Sequence, residues 1–228
     1  INLTYKKTIY IYIIMFIYFI FSLLLGSFTY VESTCPQVST VDNFNLTEYI
    51  RDRWYIQRQQ VTNYLPIENN YCVSARYSIS NKKVPFYHGT VLDVYNRANV
   101  NGVNGTNENK NNYTLCARIP DSNVSSKLLV APCFLPNIFA GNYWVVDAGP
   151  SSDNYQYAIV SGGQPTVQLK DGCTTSTNGT NDSGFWFFTR RQNVNMSLIN
   201  TMNEIAHKKG FSLKLMNNVT QLGCNYSD

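Results

Sequence analysis

Charged residues and histidines are scarce in this chain of 228 residues. Only 14% of the residues are charged, the net charge is +4 and no dense run of Lys or Arg occurs, which disfavours a nucleic-acid binder. No Cys-x-x-Cys pair is present, so a structural zinc site is not expected. The two histidines, His88 and His207, lack the surroundings of a Ser-His-Asp triad or a metalloprotease motif. The sequence therefore predicts no catalytic residue, no metal ligand and no cofactor.

Apolar and aromatic side chains are abundant instead. Hydrophobic residues make up 44% of the sequence and aromatic residues 14%, with 17 Tyr and 12 Phe. This composition is too apolar for a disordered polymer. Because large aromatic residues favour strands over helices, we expect an all-β protein.

The first 33 residues have the pattern of a targeting segment. Lys6 and Lys7 precede an uncharged apolar run at residues 8–25, and small residues follow it. This order is typical of a secretory signal peptide, with cleavage expected after Ser33. An apolar run of this length can also just span a bilayer, so a membrane anchor is the alternative. We therefore divide the chain into a signal peptide or signal anchor at residues 1–33 and a folded domain at residues 34–228.

Glycosylation motifs and cysteines also indicate the secretory pathway. The chain has ten Asn-x-Ser/Thr motifs, where chance placement would give about four or five. Nine follow the leader, at Asn45, Asn104, Asn112, Asn123, Asn178, Asn181, Asn195, Asn218 and Asn225. The six cysteines also follow the leader, and their even number fits disulfides formed in an oxidising compartment. Six cysteines allow fifteen pairings, so counting alone assigns none of them.

Alternation of apolar and polar residues predicts strands along most of the domain. The predicted strands are 54–60, 72–80, 85–95, 113–119, 127–134, 143–148, 155–161 and 185–190. Polar stretches at 96–112 and 162–184 predict two long surface loops.

One helix is predicted late in the chain. Apolar residues from Leu198 to Ala206 follow a 3.6-residue period, Asn195 can cap the start, and Gly210 can end the helix. A short strand at 212–216 is expected to follow. Eight closely spaced strands and one helix predict a single closed antiparallel up-and-down barrel, with the helix packed on its wall.

Five segments carry an ordered set of motifs. They are Cys35-Pro36 followed by Tyr49-Ile50-Arg51-Asp52-Arg53-Trp54-Tyr55-Ile56, then Cys72-Val73-Ser74-Ala75-Arg76-Tyr77-Ser78, Tyr143-Trp144-Val145-Val146, Tyr157-Ala158-Ile159-Val160 and Trp186-Phe187-Phe188-Thr189-Arg190. In order and spacing they resemble the lipocalin family, in particular the subgroup of apolipoprotein D, lazarillo and the bacterial lipocalins. Asp52 stands where this subgroup has glycine, so the backbone at that corner is expected to differ.

The resemblance implies a secreted carrier that holds a small hydrophobic molecule, of the lipid, sterol, retinoid or pigment class, inside the barrel. It implies that Trp54 and Arg190 close one end of the barrel as scaffold residues. It also implies the disulfides Cys35–Cys173 and Cys72–Cys224. A hairpin centred between residues 124 and 125 would place Cys116 opposite Cys133, which predicts a third disulfide.

The alternation of side chains along each strand then predicts which residues line the ligand pocket. If Trp54 and Arg190 face inward, their strand neighbours of the same parity face inward as well, and a bulge would change this for Arg58. The predicted ligand-binding residues are Ile56, Arg58, Trp144, Val146, Tyr157, Ile159, Trp186 and Phe188. The alternative is that these side chains only fill the core.

Two other functions remain open. The protein could be a glycoprotein that recognises a partner through the loops at 96–112 and 162–184. It could also be an enzyme like the isomerase and de-epoxidase lipocalins, which is less expected because the six cysteines are expected to be paired.

Overall fold

The computed structural model describes residues 35–107 and 114–226. The predicted leader at residues 1–33 lies outside these ranges, as do the glycosylation motifs at Asn2 and Asn112. Within these ranges, no helix combines the length and the apolar character that a membrane span requires. The membrane tether expected from residues 8–25 falls outside the described residues.

Eleven strands lie in the described residues. They are β1 (Trp54–Gln60), β2 (Tyr71–Ile79), β3 (Val91–Asn99), β4 (Leu115–Arg118), β5 (Lys127–Pro132), β6 (Gly141–Ser151), β7 (Asn154–Ser161), β8 (Val167–Leu169), β9 (Gly172–Thr174), β10 (Phe185–Thr189) and β11 (Met216–Asn218). Strands β1 to β7 and β10 pair in an antiparallel meander, and β10 pairs back with β1 through Tyr55–Thr189 and Ile56–Phe188. The sheet thus closes into the eight-stranded barrel that the sequence predicts.

Each of the eight predicted barrel strands overlaps an observed strand, but several boundaries differ, and β6 extends from Gly141 to Ser151 where 143–148 was predicted. Strand β3 begins at Val91 and not at residue 85, because Phe86 has a φ of 60° and a bridge between Val84 and Tyr87 closes a turn there. The predicted loop at 162–184 contains the small hairpin of β8 and β9. The last strand lies at Met216–Asn218 and not at 212–216.

A five-residue helix that the sequence analysis did not predict, α1 (Leu46–Ile50), precedes β1 at the closed end of the barrel. The side-chain Oδ1 of Asn45 accepts a hydrogen bond of 3.1 Å from the Glu48 backbone N–H and caps this helix. We call residues 44–53 the closing segment. The loops at 61–70, 133–140 and 162–184, and the described residues 100–107 after β3, lie at the opposite, open end.

The predicted long helix is α2 (Met196–Lys208), and it packs on the outer wall. Asn195 caps it by accepting a hydrogen bond of 2.7 Å from the Ser197 N–H, and Gly210 follows it with a φ of 87°. Its buried side chains are Ile199, Met202 and Ala206. They contact the outward-facing phenylalanines of β10 and Phe211, which stacks on Phe185 with ring centroids 4.3 Å apart.

Strand β11 lies between the end of β1 and the start of β2. Gln60 pairs with Met216 and Arg58 with Asn218 on one side. On the other side, the Cys72 N–H donates to the carbonyl oxygen of Thr220 at 2.9 Å. Residues 216–220 therefore complete the barrel wall where β1 and β2 have separated.

Three disulfides join the described cysteines, and none of the six thiols is free. The pairs are Cys35–Cys173, Cys72–Cys224 and Cys116–Cys133. They match the two pairs implied by the family resemblance and the third pair expected from the hairpin.

Candidate ligand-binding site

The closed end of the barrel is built around Trp54 and Arg190. The Trp54 ring is fully buried, and the Arg190 guanidinium carbon lies 3.5 Å from its centroid. The guanidinium donates to the backbone carbonyl oxygens of Glu48, at 2.7 Å, and Tyr49, at 2.9 Å. Burial lowers the pKa of Arg190 to about 10, which still leaves it charged at neutral pH. A buried cation on an indole face, bound to helix-end carbonyls, seals this end of the barrel.

The closed half of the inner wall is tightly packed. Ile56, Leu92, Val145 and Phe188 face inward with exposed fractions of 2%, 0%, 0% and 4%. This half leaves no space for a ligand. Ile56 and Phe188, which the sequence placed in the pocket, lie here on the inner wall and contribute to the core.

Towards the open end, the inner wall remains accessible. Asn96 lies opposite the inward-facing Ala75 and is exposed, although it faces into the barrel. Ala98, Leu115, Val130 and Trp186 pack against the core and are only half-buried. We call the space bordered by Asn96 and these four side chains the cup. Of the eight residues predicted to bind a ligand, Trp186 borders the cup.

Three tyrosines that the sequence analysis did not single out lie at the floor of the cup. Tyr49 comes from α1, Tyr77 from β2 and Tyr143 from β6. Their hydroxyl oxygens are linked, at 2.6 Å between Tyr49 and Tyr143 and at 2.8 Å between Tyr77 and Tyr143. Burial raises the pKa of all three phenols, so they stay protonated at neutral pH. We call these three residues the tyrosine cluster.

One further polar side chain, Gln59, faces inward near the open end. It pairs with Trp186 across β1 and β10 and is 1% exposed. Its Nε2 donates to the Asn70 Oδ1 at 2.7 Å, whereas its Oε1 has no hydrogen-bond partner among the described residues.

Arg58, which the sequence analysis expected to face inward, points to the outside. The pairing of β1 with β10 shifts by one residue between Ile56 and Arg58. This bulge turns the guanidinium towards α2, where it donates to the Asn203 Oδ1 at 2.7 Å and lies 5.8 Å from the Phe187 ring centroid.

Four other predicted pocket residues also lie outside the barrel. Val146, Tyr157 and Ile159 pack in the layer between the wall and α2. Trp144 lies on the outer face, with the Lys127 Nζ 4.3 Å from its ring centroid. The inward-facing residues of β6 are its neighbours Tyr143 and Val145, and a shift in pairing with β7 lies between Val145 and Asp147. The sequence analysis chose the wrong face because both faces of these strands are apolar.

The rim of the cup has an apolar loop. Residues 133–140 join β5 to β6, and Phe134, Ile138 and Phe139 in this loop are 62%, 84% and 57% exposed. Exposed apolar side chains grouped on one loop are typical of a surface that contacts a ligand or a partner.

Two other features lie outside the cup. A groove of about 530 Å³ lies mainly on the outer face of β2 and β3, and its lining combines charged side chains such as Arg76, Lys82 and Asp93 with Tyr77, Val94 and Tyr95. Ligand atoms of Asp93, Cys116 and Cys133 lie within 4.8 Å of one another, but both sulfurs are joined in a disulfide.

Comparison with known proteins identifies the fold. No protein-family model matches the chain, and no curated protein matches it. Among solved structures, insecticyanin from the tobacco hornworm Manduca sexta is 14% identical over 86% of this chain and 91% of its own, with a TM-score of 0.51. The amine-binding protein of Rhodnius prolixus, solved with tryptamine, is 16% identical over 85% of this chain and 90% of its own, with a TM-score of 0.50. The cockroach allergen Per a 4 is 14% identical over 83% of this chain and 96% of its own, with a TM-score of 0.50.

These neighbours are lipocalins, and at such low identity the likeness concerns the fold alone. The narrower resemblance to the apolipoprotein D subgroup has no support among them and stays an expectation. The closed eight-stranded barrel, its single wall helix and these neighbours together show that this chain has the lipocalin fold.

Proposed function

We propose that this protein binds a small, mainly apolar molecule in the cup and carries it outside the cell. The observation that supports this most directly is the difference between the two halves of the inner wall. Side chains of the closed half are almost fully buried, whereas Asn96, Ala98 and Trp186 in the open half keep accessible surface inside the barrel. The neighbour from Rhodnius prolixus, solved with a small molecule, supports the same use of the fold.

The expected affinity follows from the area that such a ligand would bury. Burying roughly 300 Å² of apolar surface at about 25 cal/mol/Å² contributes about 7 kcal/mol before the costs of association. That corresponds to dissociation constants in the micromolar range, which suits a carrier.

A single substitution on the inner wall tests the cup. Ala98→Phe places a ring in the cup, and it should weaken binding of the neutral fluorescent probe N-phenyl-1-naphthylamine by at least about tenfold, because the ring occupies the space of the probe. The matched control is Tyr95→Phe on the outer face of the same strand, which should bind the probe as the wild type does. Unchanged probe binding by Ala98→Phe would place the ligand elsewhere.

We base the proposed export from the cell on the three disulfides, because disulfides form and persist in oxidising compartments. The mass of the mature N-terminus after expression in eukaryotic cells tests it. A start near Thr34 supports cleavage and secretion, and an intact leader supports a membrane anchor.

The exposed loop at 133–140 favours recognition of a partner protein as a second function. The loops expected to serve this role carry glycosylation motifs at Asn104, Asn178 and Asn181, whose side chains are exposed, whereas residues 133–140 contain no such motif. Binding of the purified glycoprotein to cells should then be lost in Ile138→Gln/Phe139→Gln, which removes the apolar side chains without creating a glycosylation motif at Asn137, with probe binding in the cup retained. Equal cell binding by the variant and the wild type would contradict this function.

A further inference from the structure

The groove on the outer face of the barrel has no part in the proposed carrier function. Its volume of about 530 Å³ lies within the range of small-molecule sites, roughly 300–1,000 Å³. Strands β2 and β3 form its floor, and the loop after β2 and the residue before β4 complete its lining. We call it the outer groove, and its lining residues outside the barrel core are Arg76, Ser78, Lys82, Asp93, Tyr95 and Thr114.

Two cross-strand pairs form the floor of the outer groove. Arg76 lies directly opposite Tyr95, and Ser78 lies opposite Asp93. The side chains of such a pair stand about 5 Å apart on the same face of a sheet, so one ligand can contact both of them. Arg76 and Tyr95 are exposed, and Tyr95 keeps 39% of its surface accessible. The groove therefore presents a guanidinium group and a phenol ring side by side.

The charges of the outer groove are not balanced. The Asp93 Oδ1 accepts hydrogen bonds from the Lys82 Nζ, at 2.7 Å, and from the Ser80 Oγ, at 2.8 Å. Lys82 and Asp93 thus compensate each other's charge. Arg76 has neither a hydrogen bond nor an ion pair to another described residue. One positive charge of the groove therefore lacks a counter-ion among the described residues.

This arginine determines which ligand group fits. A guanidinium group binds sulfonate, phosphate or carboxylate oxygens through two parallel N–H donors. The Asp93 carboxylate repels such an anion at the other pair, and residues two positions apart on a strand are about 7 Å apart. The anion should therefore lie at the Arg76 end, beside the Tyr95 ring. An aromatic ring of the ligand gains a further contact there, because aromatic pairs attract each other beyond their apolar burial.

We infer that the outer groove is a second ligand site, separate from the cup, for small molecules that join an aromatic ring to one anionic group, such as aryl sulfates, aryl phosphates and aryl carboxylates. Arg76 binds the anionic group, and Tyr95 packs against the aromatic ring. Because the groove lies on the outside of the wall, a ligand there does not compete with a ligand in the cup. The inference is independent of the proposed function.

Two probes that share one aromatic framework test this site. 8-Anilinonaphthalene-1-sulfonate carries a sulfonate group that N-phenyl-1-naphthylamine lacks. The glycoprotein with Ala98→Phe, which blocks the cup, should still bind the sulfonate probe at a single site. Adding Arg76→Gln should weaken this binding at least about tenfold, because the sulfonate loses its charged donor. Fluorescence titration of both variants measures the difference.

Further substitutions in the Ala98→Phe protein control for charge and for ring shape. Arg191→Gln removes an exposed arginine that follows β10 and should leave binding of the sulfonate probe unchanged. Tyr95→Phe keeps the ring and should bind this probe as its parent does, whereas Tyr95→Ala should weaken binding by about threefold or more. The substituted side chains are exposed, so these variants should fold.

The outcomes separate this inference from the proposed function. If Ala98→Phe does not bind the sulfonate probe, or if Arg76→Gln does not weaken its binding more than Arg191→Gln does, the inference is wrong. Neither result affects binding of N-phenyl-1-naphthylamine in the cup. If the wild type binds only the sulfonate probe, and this binding depends on Arg76, the carrier function is wrong and the inference holds.

Discussion

Single buried polar residues determine the chemistry of the barrel interior. Arg190 keeps its charge at the closed end because backbone carbonyl oxygens, including those of Glu48 and Tyr49, accept its hydrogen bonds. The tyrosine cluster is different, because its hydroxyls bond mainly to one another. The first arrangement satisfies a charged donor with backbone oxygens, and the second satisfies buried hydroxyls with one another.

The buried phenols predict a loss of stability at alkaline pH. The pKa of each cluster tyrosine is raised by burial, so above pH 10 the unfolded chain releases these protons while the folded protein keeps them. Stability from these groups is therefore fully present below about pH 10, and the free energy of unfolding should fall by roughly 1 kcal/mol per pH unit for each phenol above it. Urea unfolding from pH 9 to 11 measures this slope. The variant Tyr49→Phe/Tyr77→Phe/Tyr143→Phe lacks these phenols and should show a clearly smaller slope, and equal slopes would contradict the assignment.

At the scale of elements, periodicity identified the strands and the long helix but not the bulges. Strand β1 was predicted at its observed bounds, and α2 begins directly after the predicted cap at Asn195. One shifted pair after Ile56 was enough to turn Arg58 from the inner face to α2. Such a shift depends on how β1 pairs with a strand that is distant in sequence. The local alternation of apolar and polar residues therefore does not reveal it.

The tyrosine cluster could not be predicted for a related reason. Its members come from three separate elements, and the five-residue helix that carries Tyr49 is too short to show a helical period. The number and spacing of the strands predicted the closed barrel, but they did not show which side chains meet inside it. The closed-end pair Trp54–Arg190 and the disulfides Cys35–Cys173 and Cys72–Cys224 came from the resemblance to lipocalins, and Cys116–Cys133 came from the predicted hairpin.

The packing of α2 predicts unequal effects of two methionines. Met202 is fully buried between the helix and the barrel wall, whereas Met196 at the start of the same helix is 65% exposed. Met202→Ala should lower the free energy of unfolding by about 2–5 kcal/mol, because it leaves a cavity. Met196→Ala should change it by less than about 0.5 kcal/mol. Denaturant unfolding compares them, and equal midpoints would contradict the packing described for α2.

The position of α2 also predicts that both methionine variants bind the probe normally at temperatures where they are folded. The helix contacts the outer face of β10 and does not border the cup. A change in probe affinity in Met202→Ala would indicate that the helix and the cup are coupled through the wall.

At the scale of the whole molecule, disulfides connect distant parts of the chain to the barrel. Cys72–Cys224 spans 152 residues and fastens the segment after β11 to β2, whereas Cys116–Cys133 spans 17 residues within neighbouring strands. The entropy lost by the unfolded chain grows with the length of the closed loop. The two bonds therefore differ in their expected contribution to stability.

Removing each bond tests this difference. Cys72→Ser/Cys224→Ser should lower the free energy of unfolding by about 2 kcal/mol more than Cys116→Ser/Cys133→Ser does, from the loop-length dependence alone. Chemical denaturation of both double variants under non-reducing conditions gives the comparison. A larger loss for the short loop would show that local packing around Cys116 outweighs chain entropy.

The insertion of residues 216–220 between β1 and β2 has a consequence for biosynthesis. Strands β1 and β2 emerge from the ribosome long before the stretch that fills the gap between them. The nascent chain can form the β2-to-β7 meander during translation, but the cylinder reaches its complete wall only when residues up to about Cys224 have been released. Maturation of this protein should therefore be largely post-translational, and truncation before Met216 should leave an incomplete cylinder.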